Sequence, residues 1–246
     1  MVLRELPPSS PFASDDGSAA PAVRSALEAY ADGSGSLAEV VQALVGTRVL
    51  VPVMAELDVA GTAVRDGVEH TVDKEASAGV VALRAPDGRT ALPVFTSVAT
   101  LAAWRADARP VPSDVARAAL SAVQEGWEVV VVDPGGPVTA LLPRTAVWAL
   151  ARRLPWVPAV HGGGPSARVD PDVRAAVVDA LRVVREVVEA DVAPGVRAEV
   201  AVVLGLVPGL DRHRLDAVLA QVNAALAGSD VVSDRVDSLE LRLRGV

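Results

Sequence analysis

The sequence predicts an α/β (α+β) protein, a mixed sheet with hairpins flanked by helices, followed by a smaller helix-strand-helix-strand domain. Three observations carry this reading. Apolar residues recur at helical spacing in some segments and run without a break in others, as from Val129 to Val132. Pro, Gly, Asp and Ser interrupt these segments at short intervals. A stretch with three prolines and Gly162 to Gly164, residues 155–169, reads as a linker between a domain over 21–154 and another over 170–246.

Residues 1–20 are rich in Pro, Ser, Asp and Gly and read as a disordered tail. Pro21 to Tyr30 is helical, with Ala22, Val23, Ala26, Leu27 and Tyr30 on one stripe. Ser36 caps a second helix whose Leu37, Val40, Val41 and Leu44 share a face, and Gly46 stops it. Arg48 to Ala55 is a strand. Residues 56–77 are charged and aperiodic, a long loop. Gly79 to Arg84 and Thr90 to Thr96 flank Pro86-Asp87-Gly88 as a hairpin. Thr96 or Ser97 caps a helix from Val98 to Ala106, turning Leu101 and Trp104 inward. Ser113 caps Asp114 to Glu125, with Val115, Ala119, Leu120 and Val123 on the inner face, and Gly126 ends it. Trp127 to Val132, nearly all β-branched, is a buried strand. Asp133 to Pro137 is a turn, Val138 to Leu142 a strand and Arg144 to Arg153 a helix.

Past the linker, Asp170 and Pro171 open a helix with Val173, Val177, Leu181, Val184 and Val188 on one stripe. Val196 to Val207 is a strand. Asp211 starts a helix carrying Leu215, Val218, Leu219, Val222 and Leu226. Leu239, Leu241 and Leu243 alternate with Glu240, Arg242 and Arg244, the period of a half-buried strand. Two strands are marginal alone, so this unit is expected to lean on the first domain or on a second copy of itself.

Composition excludes several function classes. Hydrophobic residues make up 51% of the 246, ample for a core, but aromatics are 3%, too few for a base-stacking platform. Up to Val160 there are 13 basic and 18 acidic residues, and 10 and 13 beyond it, so neither half offers the basic face that phosphates need. Lys74 is the one lysine, which fits a GC-rich coding bias. With no cysteine there is no disulfide, thiolate metal site or thiol nucleophile. Met1 to Ser10 lacks the apolar centre of a signal peptide, and the apolar runs are strand-length. A cytoplasmic protein with no membrane or nucleic-acid partner is expected.

Catalytic motifs are scarce. His161-Gly162-Gly163-Gly164 matches the glycine tetrad of some lipase oxyanion holes, but the G-x-S-x-G elbow that would supply a nucleophile is missing. A flexible linker is the simpler reading. His70, His161 and His213 show no metal-binding spacing and read as surface residues. There is no phosphate loop, and no cofactor or metal is expected. Asp133 follows a buried strand, where an Asp can be catalytic. Followed by Pro134, Gly135 and Gly136, it also suits a turn in which Asp bonds its own backbone. Thr96 and Ser97 stand at a strand-to-helix junction, as a cap or as the edge of a helix N-terminus open to a small anion.

Leu92-Pro93-Val94-Phe95-Thr96-Ser97, Trp104, Asp133-Pro134-Gly135 and Leu142-Pro143-Arg144 together resemble the N-terminal domain of the SseB (enhanced serine sensitivity protein B) family. Val49 to Val53, containing Pro52, fits the same pattern, and the last helix-strand-helix-strand unit is similar to that family's second domain. The resemblance implies a cytosolic bacterial protein whose family function is poorly defined, with no catalytic residues to carry over. The family name records a growth phenotype with serine rather than a reaction. A secretion filament protein of the same name needs long helical heptads, which this chain lacks.

The reading that follows is a non-enzymatic binding or adaptor protein, with a protein partner or self-association. Its expected surface combines Phe95, Thr96, Ser97, Trp104, Asp133 and Arg144, because ligands gather at strand ends in open α/β sheets. A small-metabolite sensor, for instance for an amino acid, is the alternative. A hydrolase using Asp133 or the His161 region is the most distant.

Overall fold

The computed structural model describes residues 12–54, 81–85 and 87–244, with the backbone of 64–65 and 68–69. The chain divides into two units, Met1–Leu142 with Leu150–Arg153, and Pro143–Ala149 with Leu154–Val246.

The first unit opens with α1 (Pro21–Asp32) and α2 (Leu37–Leu44). Ser36 and Glu39 cap α2 reciprocally, each side chain bonding the other's backbone. Strand β1 (Arg48–Val53) follows, then a short antiparallel pair, β2 (Val64–Arg65) with β3 (Val68–Glu69). The rest of the loop expected over 56–77, and the start of the strand expected at Gly79, lie outside the described residues. The hairpin is present as β4 (Leu83–Arg84) and β5 (Thr90–Val94). Helix α3 (Val98–Trp104), β6 (Arg109–Asp114) and α4 (Val115–Gln124) lead to β7 (Val129–Val132) and β8 (Ala140–Leu142). The main sheet has the order β4-β5-β7-β8, with β5 and β7 parallel and the outer pairs antiparallel.

Strand β6 was hidden in the sequence by Pro110 and Pro112. It pairs antiparallel with β1, placing Pro112 opposite Leu50 and Pro110 opposite Pro52. Leu50 spends its N–H and C=O on Phe95, at 2.8 Å each, on the side away from β6. Residues opposite it in β6 therefore also face outward, where a proline's missing N–H costs no ladder bond. Asp114, not Ser113, caps α4, its carboxylate accepting from the Ala116 N–H at 3.0 Å and the Arg117 N–H at 3.3 Å. The buried face of α4 is the small-residue stripe Val115, Ala118, Ala119 and Ala122, and Leu120 is 44% exposed. Residues 12–20 are not loose as expected. Gly17 C=O accepts the Val98 N–H at 2.8 Å, and Asp15 pairs with Arg48.

Helix α5 (Arg144–Arg152) carries residues of both units. In the second unit the expected linker is a hairpin, β9 (Val160–His161) with β10 (Arg168–Val169), joined through one 3₁₀ turn. Helix α6 (Pro171–Leu181) is followed by β11 (Val187–Pro194), β12 (Val200–Leu206), α7 (Arg212–Ala227), α8 (Asp230–Arg235) and β13 (Leu239–Arg244). The sheet order is β11-β12-β13, antiparallel then parallel. Strand β11 corrects the two-strand expectation. The helical stripe of α6 stops at Leu181; Val184 is still buried, but Val188 lies in β11 and is 60% exposed. No Gly or Pro marks that break, so pairing with β12 decides it. Val177, Leu181, Val192, Val202, Leu204, Val218 and Val222 form the core between helices and sheet.

Candidate functional site

The first unit places a polar cluster where β5 and β7 end side by side. Such carboxyl ends of parallel strands are where open α/β sheets hold ligands. Thr96 directly follows Phe95 beyond β5, and Asp133 directly follows β7. Both are buried, at 5% and 3% exposure. The Asp133 N–H reaches Val94 C=O at 2.9 Å, and its φ of 48° turns the chain sharply. Asp tolerates this left-handed backbone better than most residues.

The Asp133 side chain does not bond its own turn, as turn chemistry suggested. It crosses to the neighbouring strand end. Its carboxylate accepts the Thr96 N–H at 2.8 Å, the Thr96 hydroxyl at 2.6 Å and the Thr100 hydroxyl at 2.7 Å. Three donors satisfy a buried carboxylate that would otherwise be costly. Thr100 has one hydroxyl proton, and the short contact directs it to Asp133. Its oxygen then accepts the Ser97 N–H at 3.3 Å, while Ser97 Oγ accepts the Thr100 N–H at 3.1 Å. Ser97 is thus the cap of α3, as expected from sequence. That helix end offers a small anion little, since the Val98 and Thr100 N–H groups are already given to Gly17 C=O and Ser97 Oγ.

Arg48 braces the cluster from below. Its Nη1 donates to Thr96 C=O at 2.7 Å and its Nη2 to Ser18 C=O at 2.9 Å. It also makes a two-point pair with Asp15, whose carboxyl the Arg48 hydrogen bond holds below its usual range. Phe95 is fully buried and packs on Trp104, ring centroids 5.2 Å apart, so these two support the cluster rather than line it.

Above Asp133 an open cleft of about 260 Å³ is lined by Thr96, Ser97, Thr100, Arg24, Glu28 and Val138, among others. Sequence reasoning found Thr96, Ser97 and Asp133 but missed Thr100, Arg24, Glu28 and Arg48. Thr100 carried a signal, because it stands at the third position after the Ser97 cap. The α1 and β1 residues carried none, since only folding brings them here.

Arg144 belongs to the second unit and is occupied there. Its N–H donates to Asp237 Oδ1 at 2.9 Å, and its guanidinium to Val236 C=O at 2.9 Å and Ser233 C=O at 3.3 Å, closing the end of α8. His161 is not a free surface histidine. Its Nε2 meets Asp170 Oδ2 at 2.9 Å, and Arg235 meets Oδ1 at 3.0 Å. Burial pushes the Asp170 carboxyl up, but hydrogen bonds from Arg235, His161 and the Asp172 N–H outweigh it and hold it far below the usual range. Ser166 Oγ donates to Gly163 C=O, so the nearby hydroxyl is not presented to His161 as a nucleophile. Among the described residues no group of three or more His, Asp or Glu is placed to hold a metal, and no helix is long and apolar enough to cross a membrane.

The arrangement can bind and orient a ligand. The carboxylate and the hydroxyl beside it are both buried and mutually bonded, so neither is poised to react. No curated protein and no solved structure matches the chain. The family model of the SseB protein N-terminal domain matches residues 23–149, a span holding the whole Thr96–Asp133 cluster. The chain therefore belongs to the SseB family.

Proposed function

We propose that the chain is a non-catalytic binding or adaptor module of the bacterial cytoplasm, with residues 170–246 as the family's second domain. The carrying observation is the saturated clamp. Asp133 spends its carboxylate on Thr96 and Thr100, which rigidifies an open cleft without leaving a reactive group in it. A hydrolase would need an exposed nucleophile beside a base, and neither Asp133 nor His161 has one among the described residues. The cleft is where a protein segment docks, with Arg24 and Glu28 exposed at its rim. A photo-crosslinking amino acid in place of Glu28 should capture a discrete protein in cells, while the same group at exposed Leu120 on α4 should not. Equal labelling at both positions, or none at Glu28, would sink the adaptor reading.

A second reading, a small-metabolite sensor, is favoured by one specific feature. Arg24 and Glu28 stand one helical turn apart on the rim of a cleft whose size lies just under the common ligand-pocket range of about 300–1,000 Å³. Opposite charges at that spacing suit a zwitterion. A melting temperature that stays flat across a panel of amino acids, each at about 100 times the dissociation constant sought, would remove this reading, since true binding then adds about 2.7 kcal/mol.

A further inference from the structure

We infer that β13 is a pairing edge for a second copy of this chain, joining two second units through one antiparallel β13–β13 contact into a continuous six-stranded sheet.

The edge is free among the described residues. β13 has β12 as its sheet neighbour, and no strand pairs with its other side. The parallel register with β12 fixes which groups look outward. Val200 pairs with Leu239, and the Val200 N–H bonds Ser238 C=O at 3.2 Å. Ser238, Glu240, Arg242 and Arg244 therefore direct their backbone groups to β12. Leu239, Leu241 and Leu243 direct theirs away from it, leaving roughly six main-chain groups per copy to pair. The opposite edge of the sheet is blunted. β11 carries an irregularity between Val187 and Glu189 and ends in Pro194, devices that discourage edge pairing. β13 has neither.

Side chains select the partner and the register. Leu239 and Leu241 pack on the core, and Leu243, on the same face, is 50% exposed. Glu240, Arg242 and Arg244 occupy the other face. In an antiparallel pair, outward-facing residues must oppose outward-facing residues, so a two-fold contact centres on an individual residue of β13. Centred on Leu241, it sets Leu239 against Leu243 of the partner subunit and Glu240 against Arg242 of the partner subunit, all matched. Centred on Glu240 or Arg242, it would oppose like charges directly, which is destabilising. The Glu240–Arg242 contact falls at the non-hydrogen-bonded positions, where side chains come closest. Glu240 accepts the Val196 N–H at 2.9 Å and the Arg197 N–H at 3.2 Å and pairs with Arg242 of its own strand, so its carboxylate is held in place and association adds Arg242 of the partner subunit beside it. Leu243 gains the apolar neighbour it lacks. A pairing of this extent lies at the low end of stable interfaces, with a dissociation constant on the order of micromolar.

Sedimentation of the full chain from about 1 to about 200 μM tests the proposal, with circular dichroism checking each variant's fold. A concentration-dependent dimer is expected. Arg242→Glu, which opposes Glu240 with a like charge, should weaken it at least about tenfold. Leu243→Pro should do the same, because the N–H it removes has no partner in the single chain. Arg244→Glu, opposite Ser238 of the partner subunit in this register, should leave association unchanged. Should either of the first two variants fail to fold, the other decides. A wild-type chain monomeric throughout, a dimer indifferent to both substitutions, or one weakened equally by Arg244→Glu overturns the proposal.

Discussion

The Thr96 hydroxyl donates to Asp133 at 2.6 Å, tying together two strand ends that lie 37 residues apart in sequence. The carboxylate's other acceptor sites take the Thr96 N–H and the Thr100 hydroxyl. The tie therefore sets the position of α3 against β7 as well as the shape of the cleft.

Deleting the acceptor should be far worse than deleting one donor. Asp133→Ala strands two buried donors and one part-buried donor and should cost about 3 kcal/mol or more, whereas Thr96→Val should cost about 1–2 kcal/mol. Urea titration of the two variants measures both. Equal costs would mean that the carboxylate is not the hub.

Val184 and Val188 separate two readings of one segment. A helix running on from α6 would bury both. As observed, Val184 is buried in the connection ahead of β11, and Val188, within β11, is exposed. Val184→Ala should lower stability by about 2 kcal/mol, and Val188→Thr should stay within about 0.5 kcal/mol of wild type. Comparable losses at the two positions would contradict the placement of β11.

Glu199 predicts a pH dependence in the second unit. Burial raises its carboxyl above the ordinary value, although the Asp237 N–H bonds its Oε2 at 2.7 Å. The folded chain then keeps a proton that the unfolded chain has released. Stability falls as pH rises from the unfolded-state value through the folded one, and levels off above it. Glu199→Gln keeps an acceptor for Asp237 and removes the charge. Its melting temperature should gain on wild type between about pH 4.5 and about pH 7. A constant difference across that range would show that Glu199 does not titrate during unfolding.

Gly195 closes the turn between β11 and β12 at close quarters. A Cβ there would lie 2.0 Å from Ala198 C=O. Gly195→Ala should therefore force the turn apart and cost about 2 kcal/mol or more in a urea titration. A neutral result would mean the turn opens freely.

Local chemistry was enough for the elements whose signals are local. Ser36 and Ser97 cap their helices, the four valines of β7 form a buried strand, and Gly33, Gly46 and Gly126 take the positive φ that ends a helix. The Leu-Glu-Leu-Arg alternation of β13 was equally plain. These depend on hydrogen bonds and steric limits within a few residues, so composition and spacing suffice. Tertiary structure decided the rest. β6 is a strand despite two prolines because β1 already uses its other side for Phe95. β11 leaves the helical stripe because β12 offers a ladder. Asp133 is a clamp rather than a self-bonded turn because Thr96 and Thr100 arrive from another strand end, and Arg144 is spent on α8. In each case the deciding partner lies far away in sequence, and a donor or a ladder that distant exists for the chain only after it has folded.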